Sequence, residues 1–271
     1  MTTVKVGDIN IYYEVHGKGE ALLLINGYGG HSGRWLRLIP SLSQEYRVVA
    51  FDNRGTGRSD KPDVPYTTEM MAGDAAGLLE AIGIDAAHVF GTSMGGMIAQ
   101  ELVLRYPQKV ISLTLGCTHC GEPNSVSSTP EAMALLFGPE RAKLTPEQNA
   151  RDAVPFLFSR EFINSHPDIY AQHVAITVEY PTPLHGYRRQ AQAIMAYNTY
   201  DRLPQIKAPT LVIAGSADRI VPAENSRILA SRILNAELVI LEDKGHFFWV
   251  DALEEASKAI LDFLKRHPRP R

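Results

Sequence analysis

Apolar residues are distributed along this chain in two ways. Ala21–Ile25 and Val48–Phe51 are continuous apolar runs without polar alternation. Such runs predict strands covered on both faces, as in the middle of a parallel sheet. His88–Phe90, Val110–Leu115, Thr210–Ala214 and Leu238–Leu241 read as further strands, and Val4–Tyr13 as a strand pair around a Gly7-Asp8 turn. Between them the period changes. Met71, Ala75, Leu78, Leu79 and Ile82 recur at helical spacing, and Gly83 follows as a stop. Gly95–Tyr106, apolar nearly all round, predicts a buried helix ended by Pro107. Glu224–Leu234 is the next helix, and Leu253, Ala256, Ile260, Phe263 and Leu264 mark one face of the last. Strands alternating with helices predict a mostly parallel sheet with helices on both faces.

The texture differs between Gly121 and Leu203. Eight of the 17 prolines fall between Gly121 and Tyr200, and no buried strand is legible there. This stretch reads as short helices, an inserted cap over 121–203 on a core built from 1–120 and 204–271.

Composition narrows the picture. The 271 residues are 45% hydrophobic and 21% charged, which suits one large domain with a sizeable core. A net charge of -3 leaves no basic footprint for nucleic acid. The chain has no apolar run long enough for a membrane helix, and the start MTTVKVGDIN has no apolar leader. Two cysteines, Cys117 and Cys120, exclude a disulfide scaffold and favour a cytoplasmic location. Cys117-Thr118-His119-Cys120 has no second ligand pair for zinc and does not open a helix, so a place on the pocket floor is expected. Gly55-Thr56-Gly57-Arg58 lacks the following lysine of a phosphate loop, and the basic tail Lys265–Arg271 reads as solvated.

Candidate chemistry centres on Gly91-Thr92-Ser93-Met94-Gly95, which lies between a predicted strand and a predicted helix. A serine on so sharp a turn needs small neighbours, and a following helix aims its N-terminal amides at the serine oxygen. A serine nucleophile needs a base and a carboxylate to orient that base. Asp218 comes just after the strand Thr210–Ala214, and His246 just after Leu238–Leu241, so the chain order is Ser, Asp, His. A lone aspartate or serine is more often a turn former. It is the agreement of several spacings that singles these out. Asp52 reads as structural and Asp243 as surface.

With Asn26-Gly27-Tyr28-Gly29-Gly30, the Asp52–Asp60 loop, the elbow, Ala214–Pro222 and Gly245-His246, the chain resembles the α/β-hydrolase fold family. The resemblance covers residues 1 to about 120 and 204 to 271. It implies Ser93 as nucleophile, His246 as general base and Asp218 as its orienting carboxylate. The backbone N–H groups of Tyr28 and Met94 would form the oxyanion hole. Asn26 stands where the family often has histidine, a change that bears on loop anchoring.

The same resemblance implies a carboxylic ester hydrolase, an esterase or a lactonase, acting on a small ester or lactone with water and with no cofactor or metal. Enol-lactones and acyl-homoserine lactones are candidate substrates. Trp35, Phe137, Phe158, Met195, Phe247 and Trp249 are candidate pocket residues, and His185 a candidate contact for a polar substrate group. A serine at the elbow disfavours the aspartate-dependent dehalogenases and epoxide hydrolases of the fold. Other activities open to such a triad are cofactor-free haloperoxidase or perhydrolase chemistry and carbon–carbon bond hydrolysis. From a different class comes a small-lactone receptor with slow turnover.

Overall fold

The computed structural model describes residues 2–269; Met1 and the last two residues of the basic tail, Pro270 and Arg271, lie outside the described residues. In chain order the first elements are β1 (Thr3–Val6), β2 (Ile9–His16), β3 (Ala21–Ile25), α1 (Ile39–Leu42) and β4 (Arg47–Phe51). They are followed by α2 (Thr68–Ala81), β5 (Ala87–Thr92), α3 (Met94–Arg105) and β6 (Val110–Gly116). Next come α4 (Pro130–Phe137), α5 (Pro146–Leu157), α6 (Arg160–Ser165), α7 (Pro167–Glu179) and α8 (Leu184–Ala196). The chain finishes with β7 (Thr210–Gly215), α9 (Glu224–Arg232), β8 (Glu237–Leu241), α10 (Phe248–Asp251) and α11 (Leu253–Arg266).

The strands form one sheet in the order β1-β2-β4-β3-β5-β6-β7-β8. The β1–β2 and β2–β4 pairs are antiparallel, and every later pair is parallel. The continuous apolar runs follow from this position. Leu23 and Ile25 of β3 join the core formed with α2, α3 and α9, while Leu22 and Leu24 join the core formed with α1 and α11. Successive side chains of a strand point to opposite faces, so a strand with helices on both sides has no polar position to spare. The same alternation splits Val49 and Phe51 from Val48 and Ala50 in β4.

The order also defines a switch point. From β3 the chain crosses to β4 on one side and then to β5 on the other, which opens a crevice beyond the carboxyl ends of β3 and β5. Register aligns these ends: Ile25 lies opposite Gly91, Thr92 opposite Gly116, and Gly215 opposite Leu241. The loops that come after β3, β5, β6, β7 and β8 therefore meet at one edge.

Between β6 and β7 lie α4–α8 and, among the described residues, no strand. Proline explains their brevity. Pro130, Pro146 and Pro167 each sit in a first helical turn, where the missing N–H costs nothing, and Thr129 and Thr145 cap the first two of these helices. Among the described residues no helix is long and apolar enough to cross a membrane.

Candidate active site

Ser93 stands between β5 and α3 with φ 54° and ψ −122°. Non-glycine residues rarely adopt this backbone, and it costs about 1–3 kcal/mol. Its surroundings enforce it. Ser93 N donates to Gly116 O at 2.9 Å, while Ser93 O accepts from Gly96 N at 2.9 Å and from Thr118 Oγ1 at 2.7 Å. A Cβ on Gly91 would lie 2.2 Å from Gly95 O, and one on Gly95 would lie 2.1 Å from Ile25 O. Glycine at both positions is thus a steric requirement of the turn. The Ser93 hydroxyl opens into a cavity and, among the described residues, makes no hydrogen bond.

Asp218 and His246 come from the loops after β7 and β8, which are tied together by Ser216 N to Leu241 O and Ala217 N to Lys244 O, both at 2.9 Å. Asp218 Oδ1 accepts from Ile220 N at 2.8 Å and Val221 N at 2.9 Å. Its Oδ2 is left for His246 Nδ1 at 2.7 Å. That bond keeps the proton on Nδ1 and leaves Nε2 with a lone pair. Burial opposes the charged imidazolium, but the Asp218 carboxylate outweighs it and holds the His246 pKa above the ordinary histidine value. Cys117, buried with φ 40°, lies beside them, its sulfur within 4.8 Å of ligating atoms of both. Burial pushes its thiol pKa up, so the sulfur stays neutral and the charge on the pair comes from Asp218.

The loop after β3 covers the serine. A Cβ on Gly27 would lie 3.1 Å from Ser93 Cβ. Asn26 anchors the start of this loop: its Nδ2 donates to Phe51 O at 3.4 Å, and its carbonyl accepts from Asn53 Nδ2 at 2.9 Å. Asp52 anchors the next turn, accepting from Ser32 N at 2.6 Å and from Arg58 N at 2.8 Å, which is the structural part expected of it. Helix α8 reaches in from outside. Gln190 Oε1 accepts from Gly29 N at 2.9 Å, and its Nε2 donates to Arg54 O at 3.0 Å. The N–H groups of Tyr28 and Met94 have no hydrogen-bond partner among the described residues. Met94 opens α3, so its N–H carries the positive end of the helix dipole.

The cavity over Ser93 measures about 190 Å³. Its wall is largely apolar and includes Phe137, Met195, Phe247 and Trp249 from the expected set, together with Tyr28 and His246. The other expected residues lie elsewhere. Trp35 is fully buried one layer back, between Trp249 at 5.3 Å and Phe90 at 5.4 Å. Phe158 packs behind Phe247 and against Phe162, so it supports the wall without lining it. His185 is nine residues before the cavity-lining Ile194, half a turn out of phase on α8, and donates from Nε2 to Lys61 O at 2.9 Å. The cysteines are not on the pocket floor either: Cys117 sits behind His246, and Cys120 Sγ faces Asn124 O at 3.8 Å. Sequence reasoning missed Gln190 and Arg34, and in the Cys117–Cys120 stretch it is His119 that reaches the cavity. His119 is kept neutral by burial that lowers its pKa to about 4. Gln190 and Arg34 stand in no motif and their role is visible only through space, whereas His119 belongs to the stretch expected at the pocket floor.

Comparison with known proteins agrees with the fold. The model of the alpha/beta hydrolase fold family matches residues 20–253. A protein of Stutzerimonas stutzeri provisionally named carbamate hydrolase RutD is 31% identical over 94% of this chain and 96% of its own. A poly(3-hydroxyalkanoate) depolymerase of Ectopseudomonas oleovorans is 32% identical over 92% of this chain and 88% of its own. The crystal structure of an enol-lactonase from Burkholderia xenovorans superposes with a TM-score of 0.85 at 27% identity, covering 97% of this chain and all of that one.

Proposed function

The chain belongs to the α/β-hydrolase family, whose members named above are hydrolases, and on that premise we propose that it cleaves carboxylic ester bonds in small esters or lactones. The observation that carries the reading is the buried Asp218–His246 hydrogen bond of 2.7 Å beside a serine held at a strained turn. His246 Nε2 takes the Ser93 proton as Oγ attacks the acyl carbonyl. The developing oxyanion is received by the two unpartnered N–H groups of Tyr28 and Met94, preorganised donors that need no rearrangement as the charge appears. The imidazolium, stabilised by Asp218, returns its proton to the leaving alkoxide. Water activated by the same histidine then releases the acid from Ser93. An apolar wall of about 190 Å³ suits a short or medium acyl group. The insertion 121–203, which contributes Phe137, Leu157 and Met195 to the wall, would act as a cap that selects it.

Two relatives named for ester substrates support the ester bond, and the carbamate-named relative defines the control. The test is turnover of p-nitrophenyl butyrate, a lactone panel and ethyl carbamate, followed by pH-stat or absorbance. Multiple turnover of an ester or lactone, lost in Ser93→Ala and exceeding that of the carbamate, is expected. Neither burst nor turnover on any ester, with wild type and Ser93→Ala alike, would overturn the reading.

A further inference from the structure

One cation in the cavity wall has no part in the chemistry above. Arg34 lines the cavity that holds Ser93 and also a second, adjoining cavity of about 420 Å³. Its Nη1 donates to Tyr28 O at 3.2 Å, and its Cζ lies 5.6 Å from the ring centre of Phe247. Its Nε is buried without a partner, and among the described residues no carboxylate comes within 4.0 Å of the guanidinium. Other arginines find carboxylates, among them Arg54 with Asp74, Arg58 with Asp52 and Arg202 with Glu101, while Arg37 and Arg232, whose Nε is also buried and unpartnered, line neither of the two cavities. Arg141 repeats the pattern of Arg34. It lines the second cavity, its Cζ lies 4.4 Å from the ring centre of Tyr187, its Nε is also buried and unpartnered, and it too has no ion pair among the described residues.

Among the described residues no aspartate or glutamate lines the second cavity, and the one carboxylate in the wall of the first, Glu122, is exposed and engaged by Ser127. Two guanidinium groups thus converge on connected space that contains no anion to match them. A charge taken out of water without a partner is unfavourable, and a planar guanidinium is matched best by a carboxylate that accepts two parallel hydrogen bonds. Burial accordingly pushes the Arg34 pKa down from its usual range. The neighbouring phenols and rings offset only part of this.

Resting on the ester-hydrolase reading, we propose that Arg34, with Arg141 behind it, forms a carboxylate subsite, so that the preferred substrate is an ester or lactone carrying a carboxylate a few bonds from the scissile carbonyl. The spacing follows from the backbone. Arg34 is bonded to the carbonyl of Tyr28, the residue whose own N–H would receive the oxyanion, so the oxyanion donor and the guanidinium are tied to the two ends of a single residue. Leu157, which lines both cavities, would flank the methylene spacer between the two groups.

The experiment compares kcat/KM for methyl hydrogen glutarate and methyl hydrogen adipate with that for methyl butyrate and methyl pentanoate, in wild type, Arg34→Met, Arg34→Lys and Arg141→Met. Wild type should prefer a half-ester by about tenfold or more, as expected for a charge-assisted bidentate contact. Arg34→Met should abolish that preference, lowering kcat/KM for the half-esters at least tenfold more than for the neutral esters. Arg34→Lys should restore part of it, and Arg141→Met should reduce it less. Equal or better turnover of the neutral esters by wild type would overturn the subsite, as would an Arg34→Met variant that loses both substrate classes alike, since Arg34 would then only brace the Tyr28 loop. Calorimetric binding of methyl hydrogen glutarate to Ser93→Ala separates this inference from the one it rests on. Binding that Arg34→Met weakens at least tenfold, with no turnover by the wild type, keeps the subsite and removes the ester-hydrolase reading. Ser93-dependent turnover of neutral esters without half-ester preference or binding removes the subsite alone.

Discussion

At the scale of single residues, the site depends on which atoms hold a proton and which are kept free. Asp218 spends one oxygen on two backbone amides and reserves the other for His246, so the imidazole can neither rotate nor exchange tautomers without breaking a buried bond. Ser93→Ala removes the proposed attacking oxygen and should lower kcat by a factor on the order of 10⁶ with the fold intact, measured by turnover beside thermal unfolding. Asp218→Asn removes the charge that holds the His246 pKa up. As the proposed base, His246 acts only when neutral, so wild-type kcat/KM should rise with pH along a limb centred above about 6.5. In the Asn variant that limb should move to lower pH, while the rate falls by about 10²–10⁴. A limb that stays in place would show that Asp218 does not set the histidine's charge.

At the scale of elements, the turn between β5 and α3 and the loop after β3 are held from different directions. The first is fixed from within by Gly91 and Gly95, so Gly91→Ala, whose methyl would meet Gly95 O at 2.2 Å, should cost several kcal/mol and appear as a lower denaturation midpoint. The second is fixed from outside by α8. Gln190, buried, bonds the Gly29 amide and the Arg54 carbonyl at once. Gln190→Leu leaves both unsatisfied and frees the loop that carries the Tyr28 N–H. The expected result is a fall in kcat of about tenfold with a smaller change in KM, because the donor acts on the transition state more than on the bound substrate. A loss confined to KM would instead place Gln190 in substrate binding. A second tie joins the α5–α6 junction to the base loop: Asp251 accepts from Ser159 N at 2.9 Å and from Gly245 N at 2.7 Å, next to His246.

At the scale of the whole molecule, buried histidines set how stability responds to pH. Burial lowers the pKa of His31, His88, His119 and His173, the last to about 3. Each is neutral when folded and free to protonate when unfolded, so its share of stability is complete above about pH 6.5 and declines as pH falls from there toward the folded pKa. His246 has the opposite sign: its raised pKa contributes stability below about pH 6.5, which is lost as pH rises through the folded value. Thermal midpoints measured from pH 5 to 9 should therefore peak near neutrality and fall on both sides. His173 alone should contribute a fall of about 2 kcal/mol between pH 7 and pH 5. It packs edge-on against Phe158 and Phe247, so His173→Phe should flatten the acid side of the profile. An unchanged acid slope would count against this account.

The parts legible in the sequence were those written in short-range pattern. Strands buried on both faces must be continuously apolar, and Ala21–Ile25 and Thr210–Ala214 announce themselves for that reason. Parallel strands carry their functional loops at one end, so the order Ser93, Asp218, His246 could be read from the residues just past each strand, and the structure brings all three to one edge. What the sequence left open depends on distances between residues far apart in the chain. Trp35 and Trp249 look alike as aromatic residues, yet only Trp249 reaches the cavity, because Trp35 lies behind it. His185 and Ile194 share a helix but face opposite ways, which becomes clear only once α8 is docked. Gln190 and Arg34 carry no local signal at all; one is a polar residue in an amphipathic helix, the other a charge beside a tryptophan. Backbone pattern dictated the sheet and the end of it where chemistry gathers. Packing between distant segments decided which side chains close over the serine and leave two arginines without an anion.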